Sequence, residues 1–283
     1  MNQSTALWPL PWGTRTFIMG ILNVTPDSFS GDGVLETTTA VSQAQTFIQQ
    51  GADILDIGGE STRPSGEPIT AEQEQARVLP IITAVRRALP HALISVDTYR
   101  ASTAELALQA GANWVNDIWG FQHDPDLPAV VADAGCPVVL MHNGRNRPHR
   151  ASDDSYYGDF HYDDLLAEIK TDLQASVDVA LTAGVRRENI ILDPGIGFGK
   201  NAPQNLAVLR RLGELKALGY PLLLGTSRKG FIGHYLGGLP PEERVEGTAV
   251  TVTLGIAQGA DIVRVHDVQA MTRTARMADA LTR

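Results

Sequence analysis

The chain has 283 residues, of which 43% are hydrophobic and 19% charged, and its formal net charge at pH 7 is −9. This composition is typical of a globular protein with a substantial core, and the acidic balance argues against a general binder of nucleic acid or membrane surfaces, which would carry a basic patch. The single cysteine, Cys136, excludes an internal disulfide.

Eight short apolar runs follow one another along the chain, and a polar residue stands near the end of each. In order they are FIMGILNVT, ILDIGGES, LISVDT, WVNDI, VVLMH, IILDPG, LLLGTSRK and IVRVHDV, with Asn23, Asp56, Asp97, Asn116, His142, Asp193, Lys229 and His266 near their ends. Apolar runs bounded by turn residues are typical of buried parallel strands. Eight of them predict an α/β fold, the (β/α)8 TIM barrel, whose active site lies at the carboxyl ends of the strands.

Helical stretches separate these runs. We predict helices at 37–50, 72–89, 101–110, 125–134, 163–183, 203–218, 242–258 and 269–281. The clearest pattern lies in 163–183, where apolar residues recur at helical spacing. Because the alternation continues from about Phe17 to the C-terminus without a linker, we expect one barrel domain over 1–283, with 1–16 as an N-terminal extension.

Three connections are longer than a barrel turn requires: 23–37 after strand one, 58–70 after strand two and 143–162 after strand five. Long loops in compact domains are commonly functional. The first contains Phe29 and the second Arg63, each among Pro and Gly residues. Since an exposed Phe gains nothing in a solvated loop, we expect Phe29 to close over a ligand.

Polar groups at the strand ends suggest the kind of ligand. Asp97, Asp193 and Asn116 would place two carboxylates and an amide around one pocket, an arrangement that suits a flat heterocycle with an N–C–N edge, such as a pterin or a guanine. Taken singly, each group could instead bond loop amides or cap a helix. Arg264 and His266 end strand eight, beside the usual phosphate site of the fold, and their donors suit a phosphate or pyrophosphate.

Three other site types are not supported. The motif DPGIGFGKN fails the P-loop pattern, because Asn201 stands where Ser or Thr is needed. It also fails the dinucleotide fingerprint, because Lys200 stands where the third Gly belongs. The histidines show no HExxH spacing, so we expect no zinc site.

Seven motifs together resemble the dihydropteroate synthase family of folate biosynthesis. IMGILNVTPDSFS, DIGGESTRP, SVDTYR, VNDI, DPGIGFGK, SRK and RVHD stand in that family's order and spacing, between about Phe17 and Val268. The resemblance implies a transferase that joins p-aminobenzoate to 6-hydroxymethyl-7,8-dihydropterin pyrophosphate, giving 7,8-dihydropteroate and pyrophosphate. It also implies Mg²⁺ as cofactor, a homodimer and competition by sulfonamides.

The same resemblance implies roles for individual residues. The pterin would be bound by Asp97, Asn116, Asp193 and Lys229, in a pocket lined by Met141, Phe198 and Gly225. Pyrophosphate would be bound by Asn23, Arg264 and His266, with Asn23 also a ligand of Mg²⁺. The aminobenzoate site would comprise Phe29, Thr62, Arg63, Pro64 and Ser227. Catalysis would depend on Arg63, Lys229, Arg264 and His266.

The chain departs from the family pattern in three places. Asp32 is displaced by one position in Ser30-Gly31-Asp32-Gly33, Gly230 stands where Ser is common, and the loop at 143–162 lacks the usual Met-Gln pattern. The displaced acid leaves open a non-catalytic pterin-binding paralogue. A methyltetrahydrofolate-dependent methyltransferase and a Schiff-base aldolase using Lys229 are further alternatives.

Targeting signals are not visible in the sequence. The N-terminal residues lack a basic segment followed by an apolar one, and no apolar run approaches the roughly 20 residues of a membrane span. We expect a cytoplasmic protein with small-molecule substrates and with no nucleic-acid or membrane partner.

Overall fold

A parallel β-barrel organises the chain in the computed structural model, which describes residues 10–24, 33–61, 68–146, 149–150 and 159–283. Its strands are β1 Phe17–Asn23, β2 Ile54–Gly58, β3 Leu93–Asp97, β4 Trp114–Asp117, β5 Val138–Met141, β6 Ile190–Asp193, β7 Leu223–Leu224 and β8 Ile262–Val265. Strand β1 pairs with both β2 and β8, and a parallel bridge between Leu192 and Leu222 links β6 to the start of β7. The predicted (β/α)8 fold is confirmed.

Helices cover the outside of the barrel. They are α1 Gly33–Gln49, α2 Ala71–Ala88, α3 Ala101–Ala110, α4 Leu127–Ala134, α5 Leu165–Thr182, α6 Ala202–Arg210, α7 Gly230–Tyr235, α8 Val245–Ala257 and α9 Val268–Thr282. The helix predicted at 203–218 ends as an α-helix at Arg210 and continues as the 3-10 helix Leu212–Leu218, which contains the poor helix former Gly213. Helix α7 was not predicted because two of its six residues are Gly.

An apolar floor fills the amino-terminal half of the barrel. It consists of Phe17, Met19, Ile54, Leu93, Trp114, Val139, Ile191, Leu223 and Ile262, with Leu10 from the N-terminal segment packed against them. Trp12 stands edge-on to Phe17, with ring centroids 5.6 Å apart, and Arg15 forms a two-pronged ion pair with Asp53. Residues 10–16 therefore close this end of the barrel.

The period of two along each strand positions the site above that floor. Successive side chains on a strand point to opposite faces, so the residue two positions after an inward floor residue also points inward. From Ile54, Leu93, Trp114, Val139, Ile191, Leu223 and Ile262, this rule leads to Asp56, Ser95, Asn116, Met141, Asp193, Gly225 and Arg264. One layer of the barrel is apolar and the next is rich in polar groups.

The three long connections are only partly described. Residues 25–32, 62–67, 147–148 and 151–158 lie outside the described ranges. Within the fifth loop, His149–Arg150 and Asp159–Phe160 form a short antiparallel pair. In the parts of the chain that are described, no helix combines the length and apolar character needed to cross a membrane.

Candidate active site

Arg264 lies at the centre of the polar layer. Its Nε donates to Asp56 Oδ2 at 2.6 Å and its Nη2 donates to Asp97 Oδ2 at 2.6 Å. Burial alone would lower the pKa of Arg264, but the two carboxylates more than offset this effect and raise it above its ordinary value. Burial raises the pKa of Asp97, against the opposing influence of Arg264. Three strands, β2, β3 and β8, are thus joined by one guanidinium.

Asn116 is oriented by Asp56, which also binds Arg264. Its Nδ2 donates to Asp56 Oδ2 at 3.1 Å, and both side chains are buried. Because the amide nitrogen is committed to Asp56, the amide oxygen of Asn116 is directed away from it, as an acceptor. Asp56 therefore fixes two neighbours that the sequence assigns to ligand binding.

Asp193 provides a second acceptor on the facing side of the barrel. Its Oδ1 accepts from the Gly195 backbone N–H at 2.7 Å, and a Cβ added to Gly225 would lie 4.0 Å from its Oδ2. Burial raises the pKa of Asp193 to about 6, while the Gly195 N–H and the positive charges of Lys229 and Lys200 limit the shift. The absence of a side chain at Gly225 leaves space beside this carboxylate.

Two cations contact the ring of Phe198. Lys229 Nζ lies 4.2 Å from the ring centroid and Arg145 Cζ lies 4.4 Å from it. Phe198 also packs with Met141 and Ile118 in a small apolar cluster. Burial lowers the pKa of Lys229 to about 7, Arg264 lowers it further, and Asp193 opposes the shift. The wall opposite Asp97 therefore combines the apolar surface of Phe198, Met141 and Ile118 with the Lys229 amine, whose pKa is lowered.

Ser227 and His266 form a pair at the ends of β7 and β8. Their Oγ and Nδ1 atoms are 3.0 Å apart, and the His266 backbone N–H also donates to Ser227 Oγ at 3.1 Å. Burial, followed by the charges of Arg264 and Arg228, lowers the pKa of His266 to about 3. At neutral pH the imidazole is uncharged, so it can donate or accept a hydrogen bond but adds no positive charge.

Asn23 ends β1 and is half-buried. Its register partner is Gly58, and a Cβ on Gly58 would lie 3.2 Å from Asp97 Cβ. Among the described residues, no three His, Cys, Asp or Glu side chains are grouped as metal ligands. Mg²⁺ is commonly held by one or two carboxylates together with substrate phosphates and water, and carbonyl oxygens such as the amide oxygen of Asn23 also suit the ion.

The structure describes most of the predicted site residues and shows where they lie in the barrel. It brings Asp97, Asn116, Met141, Asp193, Phe198, Gly225, Ser227, Lys229, Arg264 and His266 to one end of the barrel, with Asn23 at the same edge. The predicted residues Phe29, Thr62, Arg63 and Pro64 lie outside the described ranges, as does Asp32. Asp56 stands near the end of a predicted strand, but the sequence-based assignment of the site does not include it; its inward position, two residues after Ile54, is the signal that identifies it.

Comparison with known proteins gives a consistent result. A family model described as "Pterin binding enzyme" matches residues 19–266. The dihydropteroate synthase of Bacillus subtilis is 51% identical over 273 residues, which cover 96% of this chain and 90% of that protein. The Synechocystis dihydropteroate synthase is also 51% identical, with coverage of 96% and 92%.

Solved structures agree with this similarity. A dihydropteroate synthase from Clostridium difficile, determined in the presence of pteroic acid, has a TM-score of 0.89 and 46% identity, and the match covers 96% of this chain and 99% of that one. The Xanthomonas albilineans dihydropteroate synthase in complex with 7,8-dihydropteroate has a TM-score of 0.83 and 36% identity, and covers 94% of each chain.

Proposed function

Since this chain belongs to the dihydropteroate synthase family of pterin-binding enzymes, we propose that it joins p-aminobenzoate to 6-hydroxymethyl-7,8-dihydropterin pyrophosphate. The products are 7,8-dihydropteroate and pyrophosphate. The observation that carries this proposal is the convergence of Asp193, Asn116 and Arg264 above the apolar floor of a pterin-binding barrel. Membership of this family argues against the methyltransferase and the Schiff-base aldolase.

Pterin recognition follows from the orientation of two acceptors. Asn116 Oδ1, directed away from Asp56, and Asp193 Oδ2, beside Gly225, would accept from the amino and ring N–H groups of the pterin edge. Asp97 would accept from a third donor, and Lys229 would donate to a ring acceptor. Met141 and Phe198 supply apolar contact for the faces of the ring. We assign these residues to the pterin pocket.

The chemical step breaks the C–O bond of the pterin methylene, and the electron pair leaves with pyrophosphate. The amine nitrogen of p-aminobenzoate then forms the new C–N bond and loses a proton. The arylamine is already neutral at pH 7, so no strong general base is required. Arg264 and His266 would bind the departing pyrophosphate, because their donors lie together at the end of β8.

Asn23 would hold Mg²⁺ through its amide oxygen, together with pyrophosphate oxygens. When bound there, the ion would supply positive charge to the leaving group. Phe29, Thr62, Arg63 and Pro64 would complete the aminobenzoate site with Ser227. We further propose that 1–283 acts as one domain and that the protein operates in the cytoplasm.

A homodimer is supported by exposed apolar side chains on adjacent helices. On α8, Val250 is 69% exposed, and on α9, Met277 and Leu281 are 60% and 70% exposed. These helices pack against each other, so their exposed residues can form one surface. Light scattering of the wild type and of Val250→Asp would test the proposal; a monomeric wild type would refute it.

The decisive experiment measures pyrophosphate release from purified protein with dihydropterin pyrophosphate and Mg²⁺, with and without p-aminobenzoate. Release that depends on the amine and yields dihydropteroate would support the synthase. Tight pterin binding without turnover would instead identify the non-catalytic paralogue and would implicate the displaced Asp32.

A further inference from the structure

Lys200, the last residue of the DPGIGFGK motif, is a completely buried cation. Its Nζ lies 2.8 Å from His142 Nδ1, 2.9 Å from Gly195 O and 3.1 Å from Phe198 O. These bonds match the three N–H donors of an ammonium group. A buried charge is tolerated only when it is well bonded, so a lysine at this position indicates a specific task.

The imidazole of His142 is fixed by this contact. An ammonium can only donate, so Nδ1 must accept and the ring proton lies on Nε2. Nε2 is 3.2 Å from Asp172 Oδ2, on helix α5. Lys200 therefore donates to a neutral imidazole, whose Nε2 lies within ion-pair distance of Asp172 Oδ2 but outside hydrogen-bond geometry.

The two carbonyl groups bonded by Lys200 define a tight turn. Gly195, Gly197 and Gly199 all have positive φ, between 63° and 81°, which is costly for other residues. A Cβ on Gly195 would collide with the His142 carbonyl oxygen, and one on Gly199 would collide with Gly144. The backbone is therefore pressed against its neighbours, and Lys200 joins both ends of the turn from inside.

Each end of this turn leads to a residue of the proposed pterin pocket. The Gly195 peptide donates its N–H to Asp193 Oδ1 and offers its oxygen to Lys200. At the other end, the Phe198 carbonyl is bonded to Lys200 while its ring contacts Lys229. The charge of Lys200 also lowers the pKa of Asp193, which burial raises.

From this arrangement we infer that Lys200 is a positioning residue for pterin binding, which fixes the Phe198 ring and the Asp193 carboxylate by bonding the carbonyl groups of Gly195 and Phe198. It does not itself contact the ligand. The inference rests on the proposed function, because it assumes that the pocket binds a pterin.

The test compares Lys200→Met with Lys216→Met. Methionine has a similar length but neither charge nor donors. Lys216 bonds Asp261 Oδ2 at 2.7 Å. Asp261 immediately precedes β8 and therefore lies at the end of the barrel opposite the site. Lys216→Met thus removes a structural ion pair far from the pocket. For each variant, calorimetry gives the affinity for dihydropterin pyrophosphate, turnover gives the KM for p-aminobenzoate, and denaturation gives the stability.

We expect Lys200→Met to weaken pterin affinity by roughly 10- to 100-fold, by analogy with residues that orient metal ligands, whose loss costs that much in affinity or activity. The KM for p-aminobenzoate should stay within about 2-fold, because the three acceptors placed around Lys200 Nζ, on His142, Gly195 and Phe198, are not among the residues assigned to that site. Lys216→Met should leave both values unchanged. Unchanged pterin affinity in Lys200→Met, or an equal loss in Lys216→Met, would overturn the inference.

Two further measurements cover the remaining outcomes. If Lys200→Met does not fold, His142→Ala removes one of the three acceptors and should weaken pterin affinity several-fold; wild-type affinity would refute the inference. If the wild type binds no pterin, the proposed function fails. A crystal structure of Lys200→Met would then decide the positioning role, because an undisplaced Phe198 ring would refute it.

Discussion

Replacing Asp56 by Ala should damage both stability and ligand binding. The carboxylate is fully buried and its Oδ2 accepts from Arg264 at 2.6 Å and from Asn116 at 3.1 Å. Removing one partner of a buried ion pair costs about 3–5 kcal/mol when the other charge is left uncompensated. Arg264 keeps its bond to Asp97, so we expect a smaller loss of unfolding free energy, about 2–3 kcal/mol.

Ser95→Ala is the matched control. Ser95 lies opposite Asp56 in the β2–β3 register, and within the described residues neither its Oγ nor Asp56 Oδ1 has a hydrogen-bond partner. Removing the hydroxyl therefore breaks no bond seen in the structure. We expect a change in unfolding free energy within about 1 kcal/mol, or slight stabilisation.

Urea denaturation and calorimetric binding of dihydropterin pyrophosphate would measure the two effects. Asp56→Ala should bind less tightly as well as unfold more easily, since both Arg264 and Asn116 lose their orientation. Asp56→Asn retains an acceptor for both neighbours and should recover most of the stability. Equal stability of Asp56→Ala and Ser95→Ala would refute the idea that Asp56 organises the polar layer.

Three further predictions use the same assays. Asp193→Asn should lose about 1.5–3 kcal/mol of pterin binding, the value of a hydrogen bond to a charged group, and wild-type affinity in this variant would contradict the pocket. Because the pKa of Asp193 is about 6, it should make wild-type pterin affinity fall as the pH is lowered through 6, and Asp193→Asn should lack this step. Asp97 and Lys229, with pKa values of about 7, should add changes near pH 7 that the variant keeps, whereas His266, with a pKa of about 3, should add none between pH 5 and 8. The same raised pKa means that the folded state binds the proton more tightly than the unfolded chain, so Asp193 should make stability decline as the pH rises from about 4 to 6. Asp97 and Asp117, with pKa values of about 7, add a decline of the same sign, so Asp193→Asn should show a smaller decline than the wild type over this range. Leu10→Ala, at the barrel floor, should cost about 2–5 kcal/mol of unfolding free energy without changing the KM of either substrate, and a changed KM would show that the floor and the site are coupled.

The strand pattern explains why so much of the pocket could be predicted. Asp97, Asn116 and Asp193 each end an apolar run, and parallel strands in a barrel bring their carboxyl ends to one face. Their common location therefore follows from local sequence alone. The hydrogen-bond partners do not follow from local sequence, because Asp56 bonds Asn116, 60 positions away in the sequence, and Arg264, 208 positions away. Such contacts exist only after the barrel closes.

Lys200 illustrates a second limit. Its motif resembles phosphate-binding loops in composition, so the sequence indicates glycines near a cation and nothing about where the cation points. In the structure the glycines fold the backbone around the ammonium, which bonds carbonyl groups of its own turn. The direction in which the Lys200 ammonium points depends on positive φ at Gly195, Gly197 and Gly199 together. Composition alone does not determine that backbone conformation.

The charge balance of the described pocket leads to a prediction about Mg²⁺. Arg264 is predicted to bind pyrophosphate, yet two carboxylates already contact its guanidinium at 2.6 Å each and offset its charge. His266 is uncharged at neutral pH, because its pKa is about 3. Within the described residues, Arg264 and His266 therefore leave much of the pyrophosphate charge without a counter-charge, and we expect Mg²⁺ at Asn23 to supply part of it.

Chelation by EDTA should abolish turnover and weaken binding of dihydropterin pyrophosphate, whereas a hydroxymethylpterin without phosphates should bind equally well with and without Mg²⁺. Asn23→Ala should raise the Mg²⁺ concentration needed for half-maximal turnover, while Ser95→Ala should not. Undiminished turnover in EDTA would refute the need for Mg²⁺ and would show that Arg264 exchanges its carboxylate partners for the substrate.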